Sequence, residues 1–183
     1  MMPQTPWRLN PSQFLARGPA PATRTISLGQ PWGAGRTDAA RGSALHLALR
    51  CCLTRPDLAG DIAAATGLAS DELALVVESA ISLKDWLLQQ GFPDLSCEIP
   101  VVAATAQGGQ VSGTIDLLAT GPEGCLLIDH KSGGPGEGFG PYWPQLSAYA
   151  SMVPAIMPER SLRGVGIFWI DHGSLELSEG EVL

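Results

Sequence analysis

Two aspartates and a lysine flank a predicted turn, and they are the residues of this sequence best suited to carry out chemistry. Asp116 lies in the run 113–118, and Asp129 opens the triplet Asp129-His130-Lys131 thirteen residues further on. Both runs have strand character, and the Gly/Pro-rich segment 121–124 predicts a tight turn between them. If those four residues form the tip, Thr120 opposes Cys125 and Asp116 falls directly opposite Asp129.

The chemistry of this arrangement follows from the distance between the side chains. Directly opposed residues on one face have Cβ atoms roughly 5 Å apart, and side-chain alternation places Lys131 on the same face as Asp129. Two carboxylates at that separation repel each other, unless one takes a proton or a cation lies between them. Oxygen ligands suit Mg²⁺ or Mn²⁺, so the pattern predicts a divalent-metal site. The alternative is a surface hairpin with a salt bridge.

Two helical segments offer further polar residues. His46 projects next to a leucine stripe of its predicted helix, and its neutral imidazole can ligate a metal or contact a phosphate oxygen. On its own, such a residue is more often a histidine at the surface or the edge of the core. Gln145 and Tyr149 are one helical turn apart on one face, and both can hold a carbonyl or a phosphate.

Four motifs taken together resemble a known nuclease family. They are Gly42…His46, Gly113-x-x-Asp116, Asp129-x-Lys131 and Gln145-x-x-x-Tyr149, in the right order and with the right gaps across residues 41–150. The combination is similar to the RecB/AddA-type nuclease domain of the PD-(D/E)XK superfamily. This resemblance implies a restriction-endonuclease-like core and a metal-dependent deoxyribonuclease, with an exonuclease favoured over an endonuclease.

The resemblance also implies a role for each residue around the metal. Asp116, Asp129 and the backbone carbonyl of His130 would hold Mg²⁺ or Mn²⁺. His46 would complete the metal shell or act through a water molecule. Lys131 would orient or help deprotonate the attacking water, and it could stabilise the charge that builds on the phosphate.

Three further residues and a protein partner follow from the same resemblance. Gln145 and Tyr149 would shape the site and steady the DNA strand. Glu98 stands where relatives often carry an acid, commonly after an arginine, but Cys97 precedes it here, which leaves Glu98 a supporting role. Relatives usually sit at the end of a long helicase, and this sequence has no ATP-binding phosphate loop. A helicase or helicase-nuclease subunit is therefore the expected partner, in recombination, repair or defence.

Two other functions stay open at this point. A catalytically idle member of the fold would bind DNA ends or a protein partner. A metal hydrolase of nucleotides or other small substrates would need an enclosed pocket.

Composition divides the chain into two parts. The net charge of −7 argues against a free-standing nucleic-acid binder, and 45% hydrophobic residues indicate a globular protein. Residues 1–55 hold seven arginines and one acid, giving +6, whereas residues 56–183 hold four cations and seventeen acids, giving −13. The basic front is either a site for a polyanion or a solvated tail. No apolar run could span a membrane and no signal peptide is evident, so we expect a cytoplasmic protein.

The remaining patterns predict the elements that position these residues. Residues 1–34, with six prolines, predict an extended arm or linker before a nuclease-like domain at 35–183. Helices are predicted from Thr37 or Asp38 to about 53, over 57–65, over 70–90 with Ser70 as the cap, and over 141–152. Strands are predicted over 97–103, 110–119, 125–131, 164–170 and 174–177, with a hairpin turn at 107–109. The order predicts an α/β fold, bordering on α+β, with a mixed central sheet.

Several other residues have ordinary interpretations. The four cysteines lack metal-binding spacing and are expected to be buried free thiols. Tyr142 and Trp143 could stack on exposed bases, although packing of their helix onto the sheet is favoured. Asp171 and His172 have side chains that can ligate a metal, but an aspartate is common in a turn, and we take that ordinary interpretation.

Overall fold

Strand pairing organises the computed structural model, which describes residues 8–13, 16, 18–33, 39–104, 109–136 and 138–178. A seven-stranded mixed sheet has helices packed on both faces, which is the predicted α/β fold. The strands are β1 (Arg8–Leu9), β2 (Thr23–Ser27), β3 (Asp94–Ala104), β4 (Gln110–Gly121), β5 (Gly124–Lys131), β6 (Leu162–Trp169) and β7 (Ser174–Ser178). The helices are α1 (Ala39–Thr54), α2 (Ala59–Thr66), α3 (Ser70–Gln89) and α4 (Trp143–Ile156).

Two hydrophobic cores lie on opposite faces of the sheet. Helices α1, α2 and α3 cover one face, and the predicted stripe Leu45, Leu49 and Leu53 is buried there. Helix α4 covers the other face through residues such as Leu146 and Val153. Both faces of β5 are therefore covered, which explains why its sequence is apolar almost without interruption until Asp129.

The pairing of β4 with its neighbours creates a fork in the sheet. Thr120 opposes Cys125 as predicted, and the β4–β5 ladder ends at Leu117 opposite Ile128. Beyond this point β5 continues against β6 as far as Lys131, while β4 continues against β3. Because β3 occupies one edge of β4 along its length, β1 and β5 share the other edge. In the described part of the chain no strand pairs with residues 112–116 on that edge.

The predicted arm contributes strands to the sheet. Strand β1 pairs parallel to β4 and β2 pairs antiparallel to β7, at the two ends of the strand order. Between them, the carbonyl of Gly18 accepts a 3.2 Å hydrogen bond from Trp143 Nε1 of α4. The described parts of residues 1–34 thus lie along the domain. Their pairing is made by backbone groups, which explains why no side-chain period signals it.

Most helix ends lie within two residues of the predictions, but α4 ends at Ile156 instead of at about 152. Gly67 ends α2 with φ of 69°, the left-handed conformation that glycine adopts readily. The prediction that Ser70 caps α3 is wrong, because Ser70 is already helical and Ala69 takes the extended capping conformation without a side-chain bond. Thr37 and Asp38, the predicted caps of α1, and turn residues 107–108 lie outside the described residues. None of the helices in the described ranges is long and apolar enough to cross a membrane.

Candidate functional site

Asp116 spans the gap at which β4 and β5 separate. Its Oδ2 atom accepts a 2.8 Å hydrogen bond from the backbone N–H of His130, in place of a bond between backbones. This contact places the Asp116 carboxyl group near that of Asp129, close enough for the Asp116 charge to raise the pKa of Asp129. The fork therefore brings together the two carboxylates that the sequence placed opposite each other.

Asp129 is buried, with a hydrogen bond to Oδ1 and an ion-pair contact but no hydrogen bond at Oδ2. Gln145 Nε2 donates a 3.0 Å hydrogen bond to Oδ1, and Lys131 Nζ lies 2.5 Å from Oδ2. Burial raises the pKa of Asp129 to about 6, with a further rise from the Asp116 charge that Lys131 opposes. The pKa of Asp116 is also raised, mainly by burial. The pair therefore binds a proton more readily than two exposed aspartates. A cation bound between the two carboxylates would remove their repulsion in the same way as that proton.

Lys131 stands on the α4 side of β5, with its side chain 22% exposed. Burial alone would lower the pKa of Lys131, but the contact with Asp129 and the charge of Asp116 together outweigh it and raise the pKa above its usual value. The ammonium group also lies 5.3 Å from the centre of the Tyr142 ring, a favourable cation–π contact. Lys131 is therefore a protonated, positively charged group in this arrangement.

The two histidines occupy the α1 side of the fork. His46 Nδ1 lies 3.8 Å from Asp116 Oδ2, and the pKa of His46 is lowered by burial and by the charge of Lys131. The His130 side chain is buried between the rings of His46 and Phe168, at centroid distances of 6.1 and 6.4 Å. Burial lowers the pKa of His130 to about 3. Both rings are neutral near pH 7. His130 contacts Asp116 through its backbone N–H and not through its ring.

Helix α4 approaches the open edge of β4 through a glycine. Tyr149 Oη accepts a 3.3 Å hydrogen bond from the unpaired backbone N–H of Thr114. A Cβ atom on Gly113 would lie 2.7 Å from the same hydroxyl group, so the close approach requires glycine there. Tyr149 also hydrogen bonds to Gln145. Gln145 is thereby held between Tyr149 and Asp129.

Glu98 has an unusual backbone conformation. Among the described residues it is the only one other than glycine with positive φ, at 56°. It stands between two regular β3–β4 pairs, and its Oε2 atom lies 3.9 Å from Arg50 Nη1. Burial is the main cause of the raised pKa of Asp116, and the Glu98 charge raises it further. An open groove of about 380 Å³ runs past Glu98, His46 and Arg50.

A buried ion pair that sequence reasoning missed supports the segment after Lys131. Asp171 is fully buried, and its Oδ1 atom accepts a 2.7 Å hydrogen bond from the Gly133 N–H. Its Oδ2 atom lies 3.0 Å from Arg41 Nη1, and Arg41 also bonds to Glu72 at 2.9 Å. Because Arg41 and Asp171 are 130 residues apart, no local pattern signals this partnership. The turn interpretation of Asp171 is therefore incomplete.

The donor atoms suit magnesium better than zinc. The described residues contain no group of three or more His, Cys, Asp and Glu side chains placed to hold a metal ion. The predicted donors are instead two carboxylates and the backbone carbonyl of His130, with His46 somewhat further away. Mg²⁺ is commonly bound by one or two carboxylates, with water and substrate phosphates completing its shell, whereas zinc needs three or four protein ligands. The residues present fit the predicted Mg²⁺ or Mn²⁺.

Other predicted candidates have structural roles. Trp143 is buried, contacts Phe139 and donates to Gly18, so it packs α4 as favoured and is not available to bases. The four cysteines are free, as predicted, but only Cys52 and Cys125 are buried, whereas Cys51 and Cys97 are half-buried. His172 lies against the backbone of Gly134 and joins no metal-binding group within the described ranges.

The basic front of the chain is partly neutralised. Arg41 is held by Asp171 and Glu72, and Arg55 pairs with Asp57 at 2.8 Å. Arg17 and Arg36 lie outside the described residues, so the prediction of a polyanion site at this front stays a prediction.

No protein-family model matches the chain, and no curated protein matches it significantly. The fold and the site together define the class of protein. It is an α/β domain in which two interacting carboxylates, Asp116 and Asp129, and Lys131 lie where β4 and β5 separate.

Proposed function

We propose that the protein is a metal-dependent nuclease that hydrolyses phosphodiester bonds in DNA, with Mg²⁺ or Mn²⁺ held by Asp116 and Asp129. The observation that carries the proposal is the convergence of these two carboxylates with Lys131 at the fork between β4 and β5. Burying charged groups costs free energy, and packing does not require them here. The four-motif resemblance to RecB/AddA-type nucleases, with a restriction-endonuclease-like core, supports the same function.

The protein's own residues would prepare the site for hydrolysis. A bound divalent metal would supply a nucleophilic hydroxide and polarise the phosphate. The His130 N–H orients Asp116, and Gln145 orients Asp129. Because Lys131 is protonated beside Asp129, we favour its role as a positive charge that turns to the phosphate over a role as the base. Neutral His46 could accept a hydrogen bond from a water molecule.

The shape of the site favours a polymer. The groove beside His46 is open and carries the cation of Arg50, whereas a hydrolase of small substrates would need an enclosed pocket. A helicase or helicase-nuclease partner in the cytoplasm would supply further cations for DNA, since the body of this protein is acidic.

A cleavage assay with matched lysine variants tests the proposal. Mg²⁺ or Mn²⁺ is titrated into the protein with end-labelled single- and double-stranded DNA. We expect metal-dependent cleavage that Lys131→Ala reduces by about 10²-fold or more, as for other groups that stabilise transition-state charge. Lys84→Ala changes the only other lysine, on α3, and should leave cleavage unchanged. Equal cleavage by the two variants would refute the site.

A catalytically idle DNA-end or partner-binding module is the second candidate. The observation in its favour is that the Lys131 ammonium group lies 2.5 Å from Asp129 Oδ2, so that a cation of the protein itself already stands beside this carboxylate. Thermal unfolding with added Mn²⁺ separates the two functions. A nuclease should gain a few degrees in Tm, because ligand at 100 times its Kd contributes ~2.7 kcal/mol, and Asp116→Asn should remove the gain. DNA binding without any metal effect would support the idle module.

A further inference from the structure

A second polar groove lies at the opposite end of β5 from Lys131. It has a volume of about 560 Å³ and includes Leu126, near the start of the strand, in its floor. Arg24 of β2, Arg163 of β6 and Ser178 of β7 line one side, and Trp86 and Gln90 at the end of α3 line the other. None of these residues takes part in the candidate active site.

The charge of this groove is unusual for an acidic protein. Two arginines line it and no acidic residue does, within the part of the chain that the structure describes. Neither Arg24 nor Arg163 forms an ion pair with a described carboxylate. Arg163 lies across Gly124, where a Cβ atom would come 2.8 Å from its Cγ. Two guanidinium groups without an anionic partner among the described residues favour an anion, and phosphate matches their planar donor geometry.

The other groups that line the groove suit a ligand in which an aromatic ring is attached to the phosphate. Trp86 is half-buried and offers an indole surface on which a planar base can stack. The Gln90 amide provides donors and an acceptor for the edge of such a base. Ser178 Oγ accepts a 2.9 Å hydrogen bond from the Val165 N–H, which leaves its hydroxyl hydrogen available to donate.

We propose that this groove binds a nucleoside phosphate, with Arg24 and Arg163 on the phosphate and Trp86 against the base. A free mononucleotide and the 5′-phosphorylated end of an oligonucleotide present the same chemistry. The proposal goes beyond the nuclease function, because this binding requires neither a metal ion nor Asp116, Asp129 or Lys131.

Calorimetric titration in EDTA tests the groove while metal-dependent cleavage is prevented. The probes are deoxyadenosine 5′-monophosphate, inorganic phosphate, and a short oligonucleotide with or without its 5′-phosphate. We expect the mononucleotide to bind the wild type at least tenfold more tightly than the Arg24→Gln/Arg163→Gln double variant. Arg55→Gln, which changes an arginine paired with Asp57 elsewhere, is the matched control and should bind like the wild type.

Two comparisons complete the test. Trp86→Leu should weaken the mononucleotide and leave inorganic phosphate unchanged, and circular dichroism would verify that the variant is folded. The phosphorylated oligonucleotide identifies the source of the ligand: equal affinity favours a free nucleotide, and tighter binding favours a strand end. The proposal is overturned if the wild type binds no mononucleotide at millimolar concentration. It is also overturned if the double variant binds equally well, or if phosphate alone binds as tightly as the nucleotide.

Discussion

The substitution Arg41→Met removes the cation beside a buried aspartate and keeps most of the aliphatic side chain. Arg41 Nη1 lies 3.0 Å from Asp171 Oδ2, and the Asp171 side chain is 0% exposed against 22% for Arg41. After the change, Oδ1 would keep its hydrogen bond from Gly133, whereas Oδ2 would be left without its cation. A buried, uncompensated carboxylate is therefore the expected consequence.

The magnitude follows from the cost of breaking a buried ion pair from one side. Removing one partner costs ~3–5 kcal/mol. Because Asp171 keeps the Gly133 bond and water can enter at the partly exposed Arg41 position, we expect the lower end, ~3 kcal/mol. A domain of this size loses about 2–4 °C in Tm per kcal/mol. The Tm of Arg41→Met should therefore fall by ~6–12 °C.

Urea and thermal unfolding followed by circular dichroism would measure this loss. Arg55→Met is the matched control: Arg55 also pairs with an aspartate, but both side chains are 61% exposed, and its Tm should not change measurably. Adding Asp171→Asn to Arg41→Met should recover much of the stability, because asparagine keeps an acceptor for Gly133 without the charge. If Arg41→Met unfolds at the same temperature as Arg55→Met, the buried pair does not stabilise the fold as argued.

Three further substitutions test the site from different directions. Gly113→Ala should lower the free energy of unfolding by ~1–3 kcal/mol, because its Cβ would lie 2.7 Å from Tyr149 Oη. Gly136→Ala is the control: its Cβ would have nothing within 4 Å, and its stability in urea should be close to that of the wild type. Equal losses of stability in the two variants would contradict this packing. Glu98→Gly should raise the free energy of unfolding by ~1 kcal/mol, because glycine adopts a positive φ without strain. Glu98→Ala keeps the strained backbone and should not be stabilised. If both variants were more stable in the same assay, the Glu98 carboxylate and not its backbone would be the destabilising feature. Burial lowers the pKa of His130 in the folded protein to about 3, against about 6.5 for an exposed histidine. The unfolded chain therefore binds more protons, and stability falls as the pH drops from 6.5 towards 3. His130→Leu should flatten that decline in EDTA, and an unchanged slope of unfolding free energy against pH would contradict the assignment.

Elements with a local cause were predicted well. The register of Thr120 opposite Cys125 follows from turn length and side-chain alternation, and Gly67 ended α2 because few other residues adopt its conformation. The capping of α3 was wrong by one residue, because the extended conformation of Ala69 needs no side-chain bond to begin the helix.

The shared face of Asp129 and Lys131, and that of Gln145 and Tyr149, could be derived from local sequence alone. They depend on the periods of strand and helix, which backbone geometry imposes wherever those elements form. The fork required the tertiary structure, because it arises where β5 leaves β4 to pair with β6.

The same holds for three other features: the edge pairing of the proline-rich segment, the burial of the His130 ring, and the Arg41–Asp171 pair. Each depends on groups that are distant in the chain and meet only when the sheet is assembled. The free energies of burial and pairing arise only from these contacts in the folded protein. A short stretch of sequence therefore does not predict them.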